Sequence, residues 1–223
     1  CMHQGCRTLA YPMVVVSGNN SSCVLHYTLN NKRLEDGELI VIDAGGEYSC
    51  YATDVTRTIP VSGKFTVTQQ IIYNLVLQAQ LASLQEIKPG NLFSNIQTAA
   101  VRTIVTGLVA AGILTGEVDK LIEEKAYFNF YMHGASHWLG IDVHDVGDYY
   151  KEGESRPLEP GMVLTVEPGL YIPQNAFEVA EQWRGIGVRI EDMVLVTENG
   201  NEILTKSLPK TITAIEQAMA ANC

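Results

Sequence analysis

The chain has 223 residues and a mass of 24.5 kDa, long enough to bury a sizeable core in one large domain or two small ones. Hydrophobic residues make up 46% and charged residues 18%, the ordinary balance of a globular enzyme. A net charge of −10, with no basic cluster to set against it, excludes a nucleic-acid or anionic-membrane surface.

No uninterrupted apolar run nears the roughly 18 residues that span a bilayer, and no signal peptide is expected from the opening residues. The cysteines (Cys1, Cys6, Cys23, Cys50 and Cys223) are odd in number, scattered and without C-x-x-C spacing. That pattern favours reduced thiols in the cytoplasm over a disulfide framework or a zinc finger.

In chain order, short β-like pieces over 13–16 and 23–27 flank a turn cluster at 17–22, and His26 sits inside the second piece. An apolar run from Leu39 to Ile42 ends on Asp43, Gly45 and Gly46 turn the chain, and a second β-rich run from Tyr51 carries Asp54. A strand-end Asp reads either as a turn former or as a buried carboxylate in need of a partner. A helix is predicted over 66–87, opened by a Thr66/Gln69 capping box and stopped by Pro89-Gly90. A second runs from Ser94, with Gln97 completing a box, to Gly112. A shorter helix covers 117–125, strands follow, and a last helix opens at Thr213 with Glu216. Strands with segregated helices indicate an α+β fold around one curved, mainly antiparallel sheet.

An internal repeat decides between the two readings of Asp43. Leu34-Glu35-Asp36-Gly37 and the run to Gly45 match Leu158-Glu159-Pro160-Gly161 and the run to Gly169, at a constant offset of 124 residues. Each copy is a Leu-Glu-x-Gly turn, five mostly β-forming residues, a carboxylate (Asp43 or Glu167) and x-Gly. Each also has a follower, Asp54 in the first half and Glu191 in the second. Two related halves presenting paired carboxylates to a common middle make a poor core and a good binuclear metal site.

The stretch from His133 to Asp145 holds three of the five histidines, His133, His137 and His144, among glycines and alternating apolar residues. Imidazoles are the commonest metal ligands and proton shuttles. Together with Ile42-Asp43-Ala44-Gly45, Thr53 to Thr58, Thr165-Val166-Glu167-Pro168-Gly169 and Gly187-Val188-Arg189-Ile190-Glu191-Asp192, this stretch resembles the aminopeptidase P/prolidase branch of the pita-bread metallopeptidases. Five motifs occur in the family's order from about Leu9 onward.

The resemblance implies a duplicated pita-bread (creatinase/aminopeptidase) fold with Asp43, Asp54, His137, Glu167 and Glu191 as metal ligands. Asp54 and Glu191 would bridge two divalent ions, in this family usually Mn²⁺. Asp43 would serve one ion, His137 and Glu167 the other. His26, His133, His144 and Arg189 match positions that line the substrate site or shuttle protons. Hard carboxylate and imidazole donors suit such ions, and a two-metal site activates water for amide hydrolysis, with Glu167 as the expected base.

The implied substrate is a peptide with an Xaa-Pro N-terminus, cleaved before proline. Prolidase, a dipeptidase, is the nearest rival. Methionine aminopeptidase shares the fold and ligands but not the Ser136 to Asp145 pattern, and a non-catalytic binding module would have lost ligands. Longer family members carry an N-terminal domain that residues 1–223 do not include, and the full-length protein is expected to form homo-oligomers.

Overall fold

The computed structural model describes residues 2–19 and 31–221. Strands β1 (Thr8–Leu9) and β2 (Val14–Ser17) lead into the first half of the duplication: β3 (Leu39–Asp43), β4 (Gly46–Tyr48), β5 (Tyr51–Ala52) and β6 (Thr56–Pro60). β3 runs antiparallel between β2 and β6, with Asp43 opposite both Val14 and Thr56. The short hairpin β4–β5 is inserted between β3 and β6, and β1 adds to its edge.

Helices α1 (Val67–Gln85), α2 (Phe93–Ala110) and α3 (Val118–Glu123) follow. Thr66 caps α1 through the expected box, its hydroxyl accepting from Gln69 N while Gln69 Oε1 accepts from Thr66 N. The box expected for α2 is not made: Leu92 precedes the helix with no side-chain cap. Gln97 is used elsewhere, its Oε1 accepting from Ala135 N at 2.6 Å and from the Tyr131 hydroxyl at 3.1 Å.

After a small hairpin, β7 (Tyr150–Lys151) with β8 (Glu154–Ser155), the second half repeats the first. It comprises β9 (Val163–Val166), β10 (Gly169–Ile172), β11 (Ile186–Arg189) and β12 (Asp192–Thr197). β9 pairs antiparallel with β12, the hairpin β10–β11 is inserted between them, and β13 (Gly200–Ile203) covers the far side of β12. The turns entering the two halves also match, with Gly37 at φ +86° and Gly161 at φ +92°, a left-handed conformation that favours glycine. The last helix, α4 (Ile212–Ala220), is capped by Thr211, which accepts from Ala214 N, rather than by the expected Thr213. Glu216 instead accepts a bond from Phe65 N across to the start of α1.

Among the described residues pairing is antiparallel throughout, but the central sheet is divided into small sheets that meet where β6 lies against β11. Side chains and single backbone bonds bridge that seam. The Thr58 hydroxyl donates to Arg189 O and accepts from Arg189 N, while Glu191 N bonds Thr56 O. The hairpins of the two halves differ in burial: β10 and β11 are buried at every residue, with α1 against them, whereas β4 and β5 are partly exposed. Ile72, Val76, Ile96, Ile104 and Leu108 of the helices join Leu164, Leu170, Val188 and Val194 of the strands in one core.

Candidate metal centre

The duplicated halves deliver their carboxylates to one place. In each, the first carboxylate stands where the chain enters the inserted hairpin and the second where it leaves: Asp43 and Asp54 around β4–β5, Glu167 and Glu191 around β10–β11. The β9–β12 register, Val166 opposite Asp192, sets Glu167 across from Glu191 at the next position.

His137 comes from the loop that runs beside β9, where Thr165 N bonds His137 O at 3.0 Å and Thr165 Oγ1 accepts from His137 N. Its Nδ1 lies 2.9 Å from Trp138 O. A carbonyl can only accept, so Nδ1–H is the donor and Nε2 is turned toward the carboxylates. That Nε2 lies 3.5 Å from Asp54 Oδ2 and 3.3 Å from Glu167 Oε1. Asp54, His137 and Glu191 each offer a donor atom within 4.8 Å of the others.

A second layer of side chains aims these groups. Arg189, only 2% exposed, donates from Nη2 to Asp43 Oδ2 at 2.6 Å and from Nη1 to the Tyr171 hydroxyl at 3.0 Å. Its Nε bonds Thr56 Oγ1, which donates to Glu191 Oε2 at 2.7 Å. His133 Nδ1 donates to Gly134 O, so its Nε2 accepts from the Tyr171 hydroxyl at 3.0 Å. The Tyr11 hydroxyl lies 2.5 Å from Asp43 Oδ1 and also contacts Asp54 Oδ1, placing its single proton between two carboxylates.

Burial, with this concentration of negative charge, shifts Glu167 and Glu191 upward. Burial raises the Glu167 carboxyl to about 7; the charges of His137 and Arg189 pull it back, and Asp54 and Asp43 add to the rise. Burial, followed by the charges of Asp54, Glu167 and Asp43, holds Glu191 well above the usual carboxylate range. For His137 burial acts downward, but the bond to Asp54 and the charge of Glu167 outweigh it and the imidazole is raised. One guanidinium and one imidazole do not balance four clustered carboxylates. Protons restore the balance in the metal-free chain, and a divalent cation would do so with donors of the right chemistry, carboxylate oxygen and imidazole nitrogen. The residues therefore fit the implied ions.

The centre opens into a cleft of about 480 Å³ whose other walls include Tyr11, Pro12, Val14, Ser136, Val143 and Tyr149. His144 also lines it, its ring 4.3 Å from that of His137 at 71°. All five expected ligands, with His133, His144 and Arg189, come to this cleft. His26 lies outside the described residues. Tyr11 and Tyr171 carry no sequence signal as site residues, and Thr56 is visible only as part of the Thr53 to Thr58 motif, because their roles arise from contacts with residues 18 to 135 positions away.

The chain is similar to known proteins over most of its length. The model of "Metallopeptidase family M24" matches residues 1–198. The chain is 54% identical to the Xaa-Pro aminopeptidase of Escherichia coli over 217 residues, which is 97% of this chain and 48% of that protein. It is 53% identical to the Xaa-Pro aminopeptidase of Haemophilus influenzae over 205 residues, 92% of this chain and 47% of that one. Among solved structures, Pseudomonas aeruginosa aminopeptidase PepP superposes with a TM-score of 0.97 at 53% identity, covering 99% of this chain and 50% of that one. Escherichia coli aminopeptidase P with the inhibitor Pro-Leu superposes with a TM-score of 0.94 at 53% identity, over 99% and 49%. The chain thus spans about half the length of the curated relatives it matches, and its fold is theirs over that span, the duplicated pita-bread fold expected from the motifs. A family match over most of the sequence, with its acidic motifs gathered on one cleft suited to a divalent metal, means that the chain belongs to metallopeptidase family M24.

Proposed function

We propose that residues 1–223 are the catalytic domain of an Xaa-Pro aminopeptidase, hydrolysing the bond before a proline in second position. Two Mn²⁺-like ions would be held by Asp43, Asp54, His137, Glu167 and Glu191. The relatives named above support the activity, and the complete ligand set argues against a non-catalytic binding module.

The observation that favours an aminopeptidase over a dipeptidase is the commitment of Arg189. A dipeptidase has to hold the free carboxylate of the proline, and Arg is the usual group for that. Here the Arg189 guanidinium is bound to Asp43, Tyr171 and Thr56, and among the described residues no other Arg and no Lys lines the cleft. A chain continuing beyond proline needs no such group.

When bound, the ions would supply electrophilic activation of the scissile carbonyl and of water. Glu167 takes the proton from the attacking water. A carboxylate beside the bound water is a common general base for such a step. Glu167 Oε1 is held by Thr165 Oγ1 at 3.5 Å and faces His137, and the carboxyl passes the proton on to the proline nitrogen. That transfer matters because a tertiary amide nitrogen leaves poorly unless protonated. His144, beside His137 on the wall of the cleft, donates an N–H to the developing oxyanion. His133 is held by Tyr171 and Gly134 and shapes the same wall, while His26 is assigned to the substrate site by its motif alone.

The cysteines described, Cys6 and Cys50, are free, which supports a reducing, cytoplasmic setting, and no described helix is long and apolar enough to cross a membrane. The whole protein is proposed to form homo-oligomers. The deciding experiment compares an Xaa-Pro-Xaa tripeptide with the matching Xaa-Pro dipeptide under full Mn²⁺ loading. Cleavage of the tripeptide supports the assignment; cleavage of the dipeptide alone makes the enzyme a prolidase.

A further inference from the structure

Behind the metal centre, on the side away from the cleft, lies an ion pair that the proposed chemistry does not use. Arg57 of β6 stands three residues after Asp54, and Asp192, the first residue of β12, directly follows Glu191. Arg57 Nη2 lies 2.7 Å from Asp192 Oδ1, with side-chain exposures of 12% and 0%.

Both partners are fully occupied. Arg57 Nε donates to Pro209 O at 2.9 Å, Nη1 to Thr56 O at 2.9 Å and to Glu191 O, and Nη2 to Asp192 and to Leu208 O at 3.2 Å. That uses all five N–H groups of a guanidinium. Asp192 Oδ1 also accepts from Thr205 Oγ1 at 2.6 Å, and Oδ2 accepts from Lys210 Nζ at 2.6 Å and Gln80 Nε2 at 2.9 Å.

A buried pair of this kind is weak evidence for stability alone, since well-packed apolar residues often serve as well. What distinguishes this one is its aim. A single guanidinium nitrogen, Nη1, ties together the carbonyls of Thr56 and Glu191. Thr56 is the residue whose hydroxyl holds the Glu191 carboxylate, and Glu191 N bonds Thr56 O at 3.1 Å. At this point the two halves of the duplication touch, one carrying Asp54 and the other Glu191.

Resting on the reading of these carboxylates as metal ligands, we propose that Arg57 is a positioning residue. Clamped by Asp192, it fixes the separation of the two halves and so the spacing of the groups that hold the metal pair. Lysine cannot replace it, because three donors on one atom cannot reach Glu191 O, Asp192 and Pro209 O together.

The test measures metal binding rather than peptide hydrolysis. Mn²⁺ affinity is read by isothermal titration and the coupling of the ion pair by electron paramagnetic resonance, with thermal unfolding alongside. Arg57→Lys and Asp192→Asn attack the clamp from its two ends, and Thr205→Val removes an Asp192 contact that does not cross between the halves. Both clamp variants are expected to weaken Mn²⁺ binding by roughly 10–100-fold and to alter the coupled spectrum. Thr205→Val should lower the unfolding temperature with affinity and spectrum kept. Unchanged affinity and spectrum in either clamp variant that folds would overturn the proposal. So would an equal loss in Thr205→Val, which would reduce the clamp to general stability. A parent protein that takes up no Mn²⁺ would overturn both this inference and the metal-centre reading. Failure to cleave Xaa-Pro peptides with normal Mn²⁺ binding would overturn the substrate assignment alone.

Discussion

His137 Nε2 lies 3.3 Å from Glu167 Oε1, so in the metal-free chain the imidazole and the carboxylate compete for protons at the position where both would bind a cation. The sign of the resulting pH dependence follows. Glu167 is raised from 4.5 to about 7 by burial, so the folded chain holds its proton more tightly than the unfolded one. That stabilisation is complete below about 4.5, the unfolded value, and is lost as pH rises through about 7. Glu191 and His137 are also raised and act in the same direction. In chelator, the unfolding temperature should fall by roughly 5–10 °C between pH 5 and pH 8. The increase produced by Mn²⁺ should grow over the same interval, because binding must displace those protons. A metal-free chain that becomes more stable toward pH 8 would contradict this.

Glu167→Gln keeps the shape of the side chain and removes its basicity. Turnover should drop by roughly 10²-fold or more, while Mn²⁺ content falls less than in Glu191→Ala. Near-normal turnover in the metal-loaded variant would assign the base elsewhere.

Gln97→Leu tests the arm that α2 extends to the histidine loop. It would leave Ala135 N and the Tyr131 hydroxyl without the oxygen they share, at a cost of about 1–3 kcal/mol. The loop carries both His133 and His137, so Mn²⁺ affinity should weaken along with stability. Thermal unfolding and Mn²⁺ titration on one sample would show whether both change.

The helix caps provide a contrast far from the chemistry. Thr66→Ala and Thr211→Ala should each cost about 1 kcal/mol, whereas Thr213→Ala should be close to neutral because Thr211 is the residue that accepts from the helix. None of the three should change kcat, and denaturant unfolding would rank them.

Local signals and a long-range repeat carried most of this architecture into the sequence. The Leu-Glu-x-Gly turn recurs because both halves need the same left-handed glycine before the same strand, so Gly37 and Gly161 announced the duplication. The Thr66–Gln69 box was legible because cap and partner are three residues apart. Gln97 misled for the opposite reason. It stands at a box spacing from Ser94, yet its side chain is drawn to Ala135, a partner 38 residues away that no local pattern encodes. Tyr11 and Tyr171 were equally silent, since an aromatic looks the same whether it faces solvent or a carboxylate, while Arg57 was visible inside the Thr53 to Thr58 motif but its bond to Asp192, 135 residues away, was not. Arg189 was visible as a motif residue, but its commitment to Asp43 required the β10–β11 hairpin to be folded back against β3.

The seam between the halves also sets an order of events during synthesis. Thr56 meets Glu191 across 135 residues of chain, and Arg57 meets Pro209 across 152. At a translation rate of about 5–20 residues per second, Asp43 and Asp54 wait roughly 7–30 s for the partners that complete their site. During that interval β3 and β6 can pair, but the two aspartates have neither Arg189 nor the second set of ligands to balance them. A nascent first half that encounters Mn²⁺ early can offer it only a partial, weakly selective site. On the proposed reading of the centre, the full donor set exists only once the chain through Glu191 has been made.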